Sequence, residues 1–140
     1  MSKPPYINNS EEWSDLFSCE VLEQTATTKL VQITPGPKCQ NPHGFLHGGI
    51  QSLLIDELTM KYLYVALPNY RFLTVRMDIT YIKPIRINPF ILSIEIGKID
   101  LTNNRGDATI SLYSLSNNLL STAHFEFALY IKKELNETKS

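Results

Sequence analysis

Four residues near the middle of the chain have the spacing for chemistry on a carbonyl group. His47-Gly48-Gly49 opens a segment that reads as a helix, and Asp56 follows about two turns along. On a helical wheel Gly49, Ser52, Asp56 and Thr59 lie three or four residues apart. They form one small or polar stripe on an otherwise apolar rod. A carboxylate there is costly to bury unless it has partners or a task. Glu57 is one step round and stands four residues before Lys61, the favourable order for a surface ion pair. The pattern therefore predicts a solvated Glu57 and an enclosed Asp56. Glycines at a helix start let a ligand approach the backbone. The first amides of a helix have no internal partner and sit at the positive end of its dipole. They can hold a carbonyl oxygen while it gains charge. Asp56 would then act as base or nucleophile. Taken alone, His47 is better explained as a helix cap or the end of a loop.

These residues need elements to position them. Ser10-Glu11-Glu12-Trp13 reads as a helix start, with Trp13, Leu16 and Phe17 on one face. Residues 1–9 read as a loose arm. A strand is expected from Glu20 to Ile33, ended by Pro35-Gly36-Pro37, and a loop runs on to Leu46. From His47 to Ala66 the chain reads as a helix, apolar on most sides and so enclosed by something large, such as a sheet. Pro68-Asn69 closes it. Leu73, Val75, Met77, Ile79 and Tyr81 then alternate with polar residues, the period of a half-buried strand. Pro84 and Pro89 bracket a turn. Further alternating strands run through Leu92–Ile96, Ala108–Leu112 and Ala123–Ile131. Asn103-Asn104 and Asn117-Asn118 mark the turns between them. The tail from Lys132 is polar. One long apolar helix against an antiparallel meander predicts a two-layer α+β domain. One domain is expected across residues 1–140.

Composition narrows the function classes. The net charge of −1 gives no global attraction for nucleic acid or an anionic membrane. No apolar stretch reaches the roughly 18 residues of a membrane span. No secretory leader is visible. Cys19 and Cys39 are too few for a disulfide framework. A cytoplasmic location with free thiols is expected. Cys39, His43 and His47 fit no metal-ligand spacing, so neither a metal nor a cofactor is expected. Arg71, Lys83 and Arg86 read as a solvated rim. His124 alternates with core residues and reads as facing outward.

Asn41-Pro42-His43-Gly44-Phe45-Leu46-His47-Gly48-Gly49, six more residues and then Asp56 resembles the N-x-x-G-x-x-H-G-G-x(6)-D pattern of the PaaI-like hotdog thioesterases. The strand Thr74-Val75-Arg76-Met77-Asp78-Ile79-Thr80-Tyr81, followed by Pro84, resembles them too. The resemblance covers roughly residues 20 to 131. It implies a hotdog fold, in which an antiparallel sheet of five or six strands wraps the long helix. It implies hydrolysis of acyl-CoA thioesters to free acid and CoA. Asp56 would be the catalytic carboxylate. His47 and the Gly48 amide would bind the thioester carbonyl. Asn41 would hold the thioester or the attacking water, and Thr74 would help position water. Gly49, Lys83, Arg86 and His124 complete the expected substrate-binding set, with Lys98 a further possible contact for CoA phosphates. The active sites of the family lie between subunits, which implies a homodimer or a dimer of dimers. Asn88 stands where relatives often have Gly, and Asn tolerates left-handed backbone.

Two other functions stay open. Asn41-Pro42-His43 is similar to the loop of enoyl-thioester hydratases and dehydratases. That loop has an Asp before the Asn, where Gln40 stands, and a residue between Pro and His, which is absent. A non-catalytic acyl-CoA-binding protein is the other, because a fold does not fix a function. Tyr62, Tyr64, Phe72 and Tyr81 are equally readable as pocket walls or as core.

Overall fold

The computed structural model describes residues 16–132. The helix start at Ser10–Trp13, the arm before it and the tail after Lys132 lie outside the described residues. Strand β1 spans Phe17–Gln24 and β2 Thr28–Pro35; helix α1 spans Gly48–Ala66; β3 spans Tyr70–Tyr81, β4 Phe90–Asp100, β5 Arg105–Ser114 and β6 Leu119–Ile131. The six strands form one antiparallel sheet in the order β1-β2-β4-β5-β6-β3. The long helix packs on one face of it, which is the hotdog arrangement expected from the sequence.

Inward-facing residues alternate as the sequence predicts over β4, β5 and β6. Phe90, Leu92 and Ile94 meet Ala108, Ile110 and Leu112, which meet Ala123, Phe125, Phe127 and Leu129, all buried. From the helix Leu54, Ile55, Leu58, Tyr62 and Leu63 complete the core. Each large side chain buried in this way contributes about 1.5–3 kcal/mol. The turns before β5 and β6 use Asn104 and Asn117 at φ 55° and 69°, as their sequence suggested. Asn88 does not take a left-handed backbone; among the described residues only Asn104, Asn117 and Gly44 have positive φ.

Three expectations are corrected. The single strand expected over Glu20–Ile33 is a hairpin. Thr25 makes the turn: its hydroxyl oxygen accepts from the Thr28 amide at 3.0 Å and its own amide donates to the Thr28 carbonyl at 2.8 Å. Phe17 starts β1 and does not lie on a helix.

The third correction concerns β3. Its period of two breaks at a bulge between Thr74 and Arg76, where Val75 is the extra residue. Before the bulge Phe72 and Thr74 pair with the inward-facing Leu129 and Phe127. After it Met77, Ile79 and Tyr81 pair with Phe125, Ala123 and Ser121, also inward. Leu73 therefore points away from the core and is 62% exposed, and Val75 is 49% exposed. The bulge swaps the two faces of the strand.

Lys29 has an unusual place. It lies on the inner side of β2, only 9% exposed, with its ammonium 5.8 Å from the centre of the Tyr62 ring. Burial, above all, pushes its pKa below the ordinary lysine value. Folding thus penalises the charged form, so stability rises as pH climbs through the folded pKa toward the unfolded one. Lys29→Met should stabilise the protein at neutral pH by on the order of 1 kcal/mol. That gain should shrink as pH rises toward the ordinary lysine range. Urea titrations from pH 7 to pH 10 check this; a gain that grows with pH would contradict it.

Candidate active site

Helix α1 begins where the sequence placed it, and His47 is its N-cap. The His47 Nδ1 accepts from the Gly49 amide at 3.0 Å. In a neutral imidazole the proton then sits on Nε2, which is left as a donor. The His47 carbonyl takes the Ile50 and Gln51 amides at 3.0 and 3.1 Å, and its own amide donates to the Cys39 carbonyl at 2.8 Å. Among the described residues the Gly48 amide has no acceptor. Gly48 N–H and His47 Nε2–H are thus two donors at the positive end of the helix. His47 is both a cap and a possible ligand group.

Asn41 closes the loop that leads to this cap. Its Oδ1 accepts from the His43 and Phe45 amides at 2.9 and 3.1 Å. Its backbone amide donates to the Phe45 carbonyl at 2.7 Å, and Gly44 turns the chain at φ 86°. Among the described residues the Asn41 amino group has no partner and remains for a ligand. The loop is anchored below by Leu46, whose amide donates to the Ile85 carbonyl at 2.6 Å. Cys39 is buried and its Sγ donates to the Leu16 carbonyl at 2.8 Å. Burial raises its pKa, so it is a packing thiol. Cys19 and Cys39 are both free.

Asp56 and Glu57 are not separated by exposure, since both are half-buried. Among the described residues the ion pairs are Arg76–Asp78 and His124–Glu126, so Glu57 and Lys61 do not form the expected pair. Hydrogen bonding separates the two acids instead. The Thr74 Oγ1 donates to Asp56 Oδ1 at 2.8 Å. Thr74 stands just before the bulge and faces the helix side of β3 together with Phe72. The second carboxylate oxygen of Asp56 has no partner among the described residues.

The polar stripe continues along the helix toward its start. The Ser52 Oγ lies 3.3 Å from the Gly48 carbonyl and 3.3 Å from the Tyr81 hydroxyl, and the Tyr81 hydroxyl lies 3.2 Å from the same carbonyl. Tyr81 is 51% exposed. The other three aromatic candidates lie elsewhere. Tyr62 and Phe72 are core, and Tyr64 packs edge-on to Phe72 with ring centres 5.1 Å apart. Tyr81 was the residue that period-two reading could not assign to the Thr74 face, because seven positions separate them and an odd interval implies opposite faces. Thr59 is fully buried at the far end of the stripe, with no partner for its hydroxyl among the described residues.

The expected substrate-binding residues do not all converge. Gly49 is at the cap. Arg86 is exposed, stacks 5.5 Å from the Phe45 ring, and lines a cavity of about 220 Å³ with Pro84, Asn88, Pro89, Ser114 and Leu120. The Lys83 amide donates to the Leu120 carbonyl at 2.9 Å, which places Lys83 beside the same cavity. Lys98 lines a separate cavity of about 340 Å³ with Asp100, Arg105, Asp107 and Glu126. His124 faces outward, between the inward Ala123 and Phe125, with its Nε2 3.6 Å from Glu126. The structure does not bring His124 to the helix side of the sheet, where Asp56 lies. Among the described residues no three His, Cys, Asp or Glu side chains group to hold a metal ion, and no helix is long and apolar enough to cross a membrane.

A family model described as the thioesterase superfamily matches residues 43–100, which contain His47, Gly48, Asp56 and Thr74. No curated protein matches the chain significantly. Zebrafish thioesterase superfamily member 2 superposes with a TM-score of 0.70 at 20% identity, over 77% of this chain and 78% of that one. A Streptococcus mutans protein solved with acetyl CoA gives 0.74 at 15% identity, over 82% and 90%. A Haemophilus influenzae thioesterase gives 0.76 at 13% identity, over 93% of both chains. At these identities the structures support the shared fold.

The two glycines at the helix start should respond differently to substitution. A Cβ on Gly48 would meet nothing closer than the Tyr81 hydroxyl at 3.7 Å, whereas one on Gly49 would lie 3.3 Å from His47 Nδ1. Gly48→Ala should therefore hold or raise stability, by up to about 1 kcal/mol. Gly49→Ala should lower it by about 1 kcal/mol through the cap. Thermal unfolding of both variants checks the order; the reverse order would contradict the cap geometry.

Proposed function

We propose, from a chain whose residues 43–100 carry the thioesterase-superfamily pattern on a hotdog fold, that this protein hydrolyses acyl-CoA thioesters. The superfamily match supports thioester hydrolysis as the reaction class. The coenzyme A part of the substrate is supported by the neighbour that was solved with acetyl CoA. The observation that carries the reading is the division of labour along one helix: donors at Gly48 and His47 with no acceptor among the described residues, and a hydrogen-bonded carboxylate at Asp56 with one oxygen left over among them.

In this mechanism the thioester carbonyl oxygen accepts from the Gly48 amide and from His47 Nε2. Charge gathers on that oxygen as the carbon is attacked, and the helix start stabilises it. Asp56 either takes a proton from the attacking water or attacks the carbon itself. Thr74 fixes the rotamer of Asp56. Collapse of the tetrahedral intermediate breaks the carbon–sulfur bond, releasing CoA thiolate, which is then protonated. If water attacked, the free acid forms directly. If Asp56 attacked, water then cleaves the mixed anhydride on Asp56 and restores its carboxylate. On either route the products are the free acid and CoA.

One chain does not complete this site. Gly48 and Asp56 are eight residues apart, about 12 Å along the axis. A reacting carbonyl needs its donor and its nucleophile each at about 3 Å. A second copy related by a two-fold axis, with its helix antiparallel, would bring its Gly48 to Asp56 of the first. The free edge of β3 supports such a homodimer. It is a twelve-residue edge strand with Leu73 and Val75 exposed, and a long apolar edge calls for a cover.

The test is release of thiol from acyl-CoAs of several chain lengths. Asp56→Asn should lower kcat by at least about 100-fold, as expected when the group that activates the nucleophile is lost. Glu57→Gln should retain activity within a few-fold. Equal activity of Asp56→Asn and wild type would remove Asp56 from the mechanism, and loss at Glu57 alone would transfer its role.

A further inference from the structure

We infer that Tyr81 and Ser52 are positioning residues for the oxyanion-binding amide, acting together through the Gly48 carbonyl. This rests on the hydrolase reading above. The three oxygens form a closed triangle: Tyr81 Oη to Gly48 O at 3.2 Å, Ser52 Oγ to Gly48 O at 3.3 Å, and Ser52 Oγ to Tyr81 Oη at 3.3 Å. Each hydroxyl carries one proton, so two protons serve three edges. Both hydroxyls can donate to the carbonyl, or one donates to it while accepting from the other. In every arrangement the Gly48 carbonyl keeps a side-chain donor.

The place of this triangle gives it a consequence. Gly48 is the first residue of the helix and is followed by Gly49. A glycine pair at a helix end has the largest backbone freedom to lose. The peptide between them is held at both ends, by the hydroxyls on the Gly48 carbonyl and by His47 Nδ1 on the Gly49 amide. With that peptide fixed, the torsions of Gly48 are fixed, and so is the direction of its own unpaired amide. A misplacement of about 1 Å in such a donor is enough to cost about 100-fold in rate.

Neither residue has a strong structural claim. Tyr81 is half exposed at the end of β3, and Ser52 is half-buried on the polar stripe. Tyr81 reaches the helix because the Val75 bulge turns Met77, Ile79 and Tyr81 inward. The pair therefore couples the end of the edge strand to the helix start.

The shared carbonyl makes the two hydroxyls redundant, which gives the test its signature. Steady-state hydrolysis is measured for Tyr81→Phe, Ser52→Ala, the double variant and Ser52→Thr. Each single hydroxyl deletion should lower kcat by less than about 10-fold, because the other hydroxyl still donates. The double variant should lose about 100-fold, more than the product of the singles, with KM within about twofold of wild type. Ser52→Thr, which keeps the hydroxyl, should restore activity in the Tyr81→Phe background relative to Ser52→Ala. Unchanged melting of the double variant is expected. A double variant with wild-type kcat, or a loss confined to KM, overturns the inference while leaving the hydrolase reading intact. A wild type that releases no thiol from any acyl-CoA overturns the hydrolase reading and the inference with it.

Discussion

The bulge at Val75 is the constraint on which the site depends. A regular twelve-residue strand would put Thr74 and Tyr81 on opposite faces. The extra residue lets both face the helix, so α1 is fastened to β3 at two points, Asp56 to Thr74 and Gly48 with Ser52 to Tyr81. Leu73, just ahead of the bulge, faces outward on an edge strand, where a second copy would cover it. One irregularity thus lets Thr74 hold the carboxylate and Tyr81 hold the helix start from a single strand. Bulges beside active sites commonly re-aim side chains in this way.

The helix start is ordered by a division of its orphan amides. Gly49 donates to His47 and Ile50 and Gln51 to the His47 carbonyl, which leaves Gly48. Capping also selects the His47 tautomer, so structure and chemistry share one side chain. Asn41 spends its oxygen on its own loop and keeps its amino group. Its contribution to the chemistry is therefore through the loop that carries Cys39 to His47, and through that remaining donor.

Much of this was legible in the sequence. The helix and its cap follow from His47-Gly48-Gly49 and the apolar run, and the Asn turns follow from the ease with which Asn takes positive φ. The β1–β2 hairpin was not legible, because its turn is built from threonine side-chain bonding and carries no Gly, Pro or Asn. The bulge was hidden for a different reason. Leu73 and Val75 extend the apolar alternation of Met77 and Ile79, so the sequence mimics an unbroken strand, and the pairing with β6 alone reveals the break. The contrast expected between a solvated Glu57 and an enclosed Asp56 does not hold, since both are half-buried. Exposure does not distinguish them; a threonine eighteen residues away does.

In the proposed mechanism a carboxylate on one helix works with the helix start of another copy. Subunit mixing tests it most directly. Asp56→Asn chains and Gly48→Pro chains are each expected to be inactive alone. The second lacks the amide donor, at a first helical position where proline is tolerated. The two are unfolded together, refolded and assayed for acyl-CoA hydrolysis. Random pairing gives mixed dimers in which one of the two sites unites an intact Asp56 with an intact Gly48, so about a quarter of wild-type activity should return. No recovery from a mixture shown to contain the mixed dimer would contradict the claim.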